Sequence, residues 1–187
     1  MTQIWHTLHL PPPISIDIWR VDEPDVNHRE SVYPEIQFQP GDTVQIINAG
    51  GCCQTGGAGA TWKRWVNPSG PNSGALYHGL IKIPGLPGLV RVQDVGQQLM
   101  VVPNNFQGDL SLYLGYEDDA YSDNGYWGHD NGTENQCSGS VNAFIELAIY
   151  HAGSIAVPPV QRLGEAAAQE SAAPTVVHEL GSWTTRV

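Results

Sequence analysis

At 187 residues and 20.3 kDa the chain is long enough for one domain with a sizeable buried core, plus appendages. Eight Lys and Arg against nineteen Asp and Glu leave a formal net charge of −11, the wrong sign for the counterion release that drives nucleic-acid binding. The opening Met1 to His6 lacks the basic and apolar regions of a secretory leader, and no apolar run nears the ~18 residues of a membrane span, so a soluble chain with neither a membrane nor a nucleic-acid partner is expected.

Gly and Pro together make up nearly a fifth of the chain, well above the usual ~12%. They divide short alternating or apolar runs that read as strands: Ile14 to Val21, Val32 to Phe38, Thr43 to Asn48, Thr61 to Val66, Gly79 to Ile83, Leu89 to Gln93, Gln98 to Val102, Asp109 to Tyr116 and Ser140 to Tyr150. In the last, Val141, Ala143, Ile145, Leu147 and Ile149 share one face, as expected of a half-buried strand. The pattern predicts an all-β, antiparallel β-sandwich of jelly-roll-like form over residues 14–151. Residues 1–13, closed by Pro11-Pro12-Pro13, read as an N-terminal extension, and the Ala- and Pro-rich residues 152–187 as an irregular C-terminal tail.

Charge is concentrated in one place. No Lys or Arg occurs between Arg91 and Arg162, a stretch with nine acidic residues, six of them between Glu117 and Glu134. Like charges crowded into a loop repel unless a cation sits among them, and carboxylate, amide and carbonyl oxygens suit Ca²⁺. Asp118, Asp123 and Asn124, with a main-chain carbonyl, can converge if the loop turns back at Gly125; the alternative is a merely solvated acidic loop. Tyr121, Tyr126 and Trp127 in this loop, and Trp62 and Trp65 upstream, offer flat faces for a sugar ring unless they belong to the core. The Gly-rich Ala49 to Ala60 lacks the context of a phosphate-binding loop and permits close backbone approach instead. Cys52, Cys53 and Cys137 read first as small buried hydrophobes, then as a Cys137 bridge to one of the pair, then as a zinc site.

Several segments resemble the calcium-dependent galactose-binding lectins of the LecA type. They are Pro40-Gly41-Asp42-Thr43-Val44, the Gly-rich loop ending in Thr61-Trp62-Lys63, Pro103-Asn104-Asn105-Phe106-Gln107-Gly108, the Tyr121-Ser122-Asp123-Asn124 loop and Ser138-Gly139-Ser140-Val141. The resemblance spans roughly residues 32–149 and implies a calcium ion held by Asp118, the Ala120 carbonyl, Asp123 with Asn124, and the Gln54 carbonyl. It further implies that the ion binds vicinal sugar hydroxyls, with Asp118 and Asp123 accepting hydrogen bonds from them. The family's sugar-contacting His and Gln have no counterpart in residues 67–74, and residues 125–137 are an insertion. The expected function is thus a non-enzymatic, calcium-dependent lectin for a neutral, galactose-like glycan, acting as a homo-oligomer. The alternative is a structural or assembly protein whose calcium only staples the sandwich.

Overall fold

A computed structural model describes residues 15–55, 62–68, 76–126 and 141–151, together with the backbone of residues 2–9. The chain divides into one unit of residues 1–156 and a second of residues 157–187, of which the described residues belong only to the first. Its elements are β1 (Thr2–His9), β2 (Ser15–Asp22), β3 (Ser31–Gln37), β4 (Thr43–Gly50), β5 (Cys52–Gln54), β6 (Trp62–Arg64), β7 (His78–Lys82), β8 (Val90–Arg91), the single helical turn α1 (Val92–Val95), β9 (Leu99–Val101), β10 (Ser111–Glu117) and β11 (Phe144–Tyr150). The expected all-β architecture is what forms: a five-stranded sheet ordered β1-β2-β11-β4-β9 and a four-stranded sheet ordered β3-β10-β7-β8, antiparallel throughout, with β5 and β6 as a separate ribbon. No helix among the described residues is long and apolar enough to cross a membrane.

Period-two alternation builds the core. Val44 and Ile46 of β4, Ile145, Leu147 and Ile149 of β11 and Met100 of β9 are buried from one sheet, and Ile36, Ile81, Leu112, Leu114 and Tyr116 from the other. The face expected for the last strand holds from Ala143 to Ile149, but Val141 is exposed because the strand begins only at Phe144. In β4 a bulge opposite Glu146 and Leu147 leaves Ile47 outside the pairing, so it faces solvent beside a buried Ile46.

Three expectations need correction. Residues 2–9 are not an extension ahead of the sandwich: they pair antiparallel along β2 as the edge strand β1. The Gly-rich loop contains β5, whose residues Cys52 to Gln54 are all buried. The run Leu89 to Gln93 is strand only as far as Arg91, after which the chain takes the helical turn α1. Cys52 is disulfide-bonded and Cys53 is a free thiol, whereas Cys137 lies outside the described residues. The reading of all three cysteines as plain hydrophobes therefore does not hold for Cys52.

Candidate metal centre

β10 delivers the acidic loop. Its buried alternate residues Leu112, Leu114 and Tyr116 anchor the strand in the core, so Asp118 emerges at a fixed point just past Glu117. One oxygen of Asp118 is committed locally: Oδ1 accepts from Asp119 N at 2.7 Å and Ala120 N at 3.3 Å. The other, Oδ2, is buried with no hydrogen-bond partner. Burial pushes the Asp118 carboxyl above its usual range, because desolvation disfavours the charged form by more than the hydrogen bonds it accepts favour it.

Asn124 supplies the second such oxygen. The residue is 2% exposed, and its Nδ2 donates to Val26 O at 2.8 Å. That bond fixes the amide plane, leaving Oδ1 buried and without a partner. Asp123, one residue earlier, also buries a carboxylate oxygen, Oδ1. Donor-poor buried oxygens are costly as neutral packing and become favourable when a cation accepts their lone pairs.

The early loop reaches the same place. Gln54 N donates to Gly125 O at 2.9 Å and Gly125 N to Gln54 O at 3.2 Å, a two-residue antiparallel bridge. Gln54 is therefore brought, through the backbone, beside the residue that follows Asn124. Ala120 lies on the exposed outer turn of the loop, its N–H on Asp118. Among the described residues no three His, Cys, Asp or Glu side chains gather into a metal-binding group. The oxygens the loop offers are those of two carboxylates, one amide and main-chain carbonyls, hard donors of the kind that suit Ca²⁺ rather than the nitrogen and sulfur donors typical of zinc.

The aromatic expectations fare differently. Tyr126 is 3% exposed and its hydroxyl donates to Pro24 O, so it is a core residue with no ring face to present. Its burial follows from the Gln54–Gly125 bridge, which draws the next residue inward. Trp65 is likewise fully buried, stacked against the position of Gly79. Tyr121 is half-buried, with its hydroxyl on Tyr116 O at 3.0 Å. Trp62 is half-buried near Arg64, and Trp127 lies outside the described residues.

Compared with known proteins, the chain matches no family model, no curated protein and no solved structure.

Sequence reasoning missed the surroundings of the loop. The β2–β3 connection clasps it: besides Val26 and Pro24, the Asn27 amide, oriented with its nitrogen toward the loop, donates to Asn124 O at 2.9 Å and Tyr121 O at 3.2 Å. Tyr77 holds a left-handed backbone, φ 71°, and its N–H bonds Glu117 O at 2.5 Å. Burial, and then the charges of Asp118, Asp119 and Asp123, push its hydroxyl pKa up. Lys63 Nζ lies 4.8 Å from the Tyr77 ring centroid, which brings a cation into the neighbourhood. The only sequence signals were a bulky residue ahead of a strand and the Lys63 already noted after Trp62. Burial also pushes the pKa of the Cys53 thiol up to about 12.

The nine acids are also less exposed to one another than their spacing suggested. Glu117 bonds Arg91 Nε at 2.9 Å and lies 2.9 Å from His78 Nδ1, while Glu146 pairs with Arg20 across the sheet. Asp109 is bound by Ser111 N and the Tyr113 hydroxyl, which lower its pKa to about 2.

Proposed function

We propose that the chain is a calcium-dependent carbohydrate-binding module. The observation that carries the metal half of this reading is a pair of buried side-chain oxygens in one loop, on Asp118 and Asn124. Each has one side-chain oxygen or nitrogen tied to backbone, and each has its remaining oxygen buried without a partner. Asp123 and the Gln54 carbonyl complete the donor set, with the Ala120 carbonyl as the fifth member implied by resemblance. A calcium ion takes about 6–8 oxygens, so five protein donors leave positions for vicinal hydroxyls of a neutral, galactose-like sugar. With Tyr126 in the core, Tyr121 is the described loop aromatic able to flank such a ring. The reading is of a binding site: the carboxylates serve as ligands rather than as an acid and base pair.

One observation favours a second reading, a calcium staple without sugar binding. Asn124 and Tyr126 are both buried, and the loop is tied to the β2–β3 connection and to β5, so an ion there would chiefly join these segments. A glycan array probed with the full chain, once with calcium and once with chelator, separates the two. Calcium-dependent binding that Asp123→Ala abolishes supports the lectin. Calcium binding by calorimetry with no glycan bound supports the staple. No calcium binding at all removes both.

A further inference from the structure

The acidic loop runs through Asn124-Gly125, an asparagine followed by a glycine. Such a pair carries a reaction of its own. The backbone nitrogen of the glycine attacks the side-chain carbonyl carbon of the asparagine, and with no Cβ on the glycine that approach is unhindered. Ring closure forms a C–N bond and expels the amide nitrogen as ammonia. Water then opens the cyclic imide at one carbonyl or the other, giving aspartate or isoaspartate, so one water is consumed for each ammonia released. In the fold both reacting nitrogens are engaged. Gly125 N donates to Gln54 O at 3.2 Å, which holds the attacking nitrogen in the bridge to β5. Asn124 Nδ2 donates to Val26 O at 2.8 Å, so the leaving nitrogen faces an acceptor that has no proton to give it. Asn124 is also 2% exposed, which keeps out the water that must protonate the leaving group and open the ring. The Asn27 amide, on Asn124 O at 2.9 Å, adds a further restraint.

We propose that Asn124-Gly125 is a guarded deamidation site: the closed loop suppresses the reaction, and each opening of the loop risks a one-way loss of the closed form. The products account for the irreversibility. Aspartate puts a carboxylate oxygen where Nδ2 faced Val26 O, so two acceptors meet without a donor. It also adds a buried negative charge to a loop that already holds Asp118 and Asp123. Isoaspartate routes the main chain through the side-chain methylene and so puts one more carbon between residues 124 and 125. Gly125 then falls out of register with Gln54, and Tyr126, whose hydroxyl reaches Pro24 O, is displaced with it. The reaction needs no metal, so it is independent of the calcium reading.

Incubation of the full chain in mildly alkaline buffer with chelator, followed by peptide mapping, tests this. Chymotryptic cleavage after Tyr121 and Tyr126 isolates residues 122–126, which separates Asn124 from the second such pair at Asn131-Gly132. The mass change from amide to acid should accumulate roughly a hundredfold more slowly than in a free peptide of residues 118–126, because reaction awaits local opening. Asn27→Ala, at an exposed position, should raise the rate about fivefold, the effect of losing one hydrogen bond that keeps the loop closed. Tyr126→Phe, which removes the hydroxyl on Pro24 O, should raise it likewise. Asn124→Asp, made directly, should melt below the unsubstituted protein in chelator. Deamidation as fast in the protein as in the peptide, or rates unmoved by both Asn27→Ala and Tyr126→Phe, would overturn the guard. An Asn124→Asp protein as stable as the unsubstituted one, with isoaspartate absent from the reacted protein, would overturn the one-way loss.

Discussion

Asp118 divides its work between two oxygens. Oδ1 closes a turn with the Asp119 and Ala120 amides, a role that an asparagine oxygen performs equally well. Oδ2 is buried without a partner, and burial raises the carboxyl pKa, so the negative charge is a cost to the metal-free fold. Asp118→Asn should therefore leave the melting temperature in chelator unchanged or slightly higher. In the unsubstituted protein, calcium at a hundredfold excess over its Kd should stabilise the fold by about 2.7 kcal/mol, a rise of roughly 5–10 °C for a domain of this size. That rise should vanish in Asp118→Asn. Differential scanning fluorimetry of both proteins, with calcium and with chelator, reads all four values. Asp118 and Asn124 were legible as candidates because their residue types are unusual together in one loop. What fixes their oxygens was not legible, since Val26 is 98 residues from Asn124 in the chain.

Among the elements, β5 ties the acidic loop to the sandwich. It joins the sandwich through Cys52, whose N–H bonds Val141 O at 3.1 Å and whose carbonyl accepts from Ala143 N at 3.0 Å. It joins the acidic loop through Gln54 and Gly125. Gly51 makes the strand possible: its φ is +84°, and a Cβ there would lie 2.3 Å from Asn142 O. Backbone on both sides leaves no room to yield. Gly51→Ala should cost about 2–4 kcal/mol, by the combined strain of a left-handed backbone and a backbone clash. The loss should appear as a lower urea midpoint with an unchanged m value. Affinity for calcium in the remaining folded protein should fall as well, because β5 carries Gln54. A Gly51→Ala protein of normal stability would contradict the described path of β5.

For the whole molecule, the N-terminal strand is the clearest test of the topology. β1 pairs with β2 over the full length of that strand, with one irregularity between Ile4 and His6. Without it, β2 becomes an edge with a row of unpaired backbone groups, the arrangement that invites edge-to-edge association. Deletion of residues 2–9 should lower the melting temperature and raise light scattering on standing, while the four-stranded sheet and the metal loop on β10 keep their pairing. A deletion variant as stable and as soluble as the full chain would show that β1 adds nothing to the sandwich. Hydrogen exchange would report the same contrast locally, through protection lost at β2 and retained at β10.

The sequence alone determined the class of fold and the place of the candidate site. Alternation is a local property with a period of two, so β2, β3, β4, β7, β10 and β11 could be read without knowing their neighbours. The acidic loop could be located the same way, because charge density is also local. Tertiary structure decided everything that depends on what lies opposite a residue. Tyr126 and Trp65 looked like binding faces but are core, since burial of an aromatic depends on the sheet it meets rather than on its own type. Glu117 and Glu146 looked uncompensated until β7, β8 and β2 brought His78, Arg91 and Arg20 beside them. Residues 2–9 looked detached because three prolines separate them in the sequence from the first strand read there, and pairing along β2 is a tertiary fact that no local pattern carries. The clasp of Pro24, Val26 and Asn27 on the acidic loop has no sequence signature, because two of its three acceptors and donors are backbone groups, which every residue carries alike.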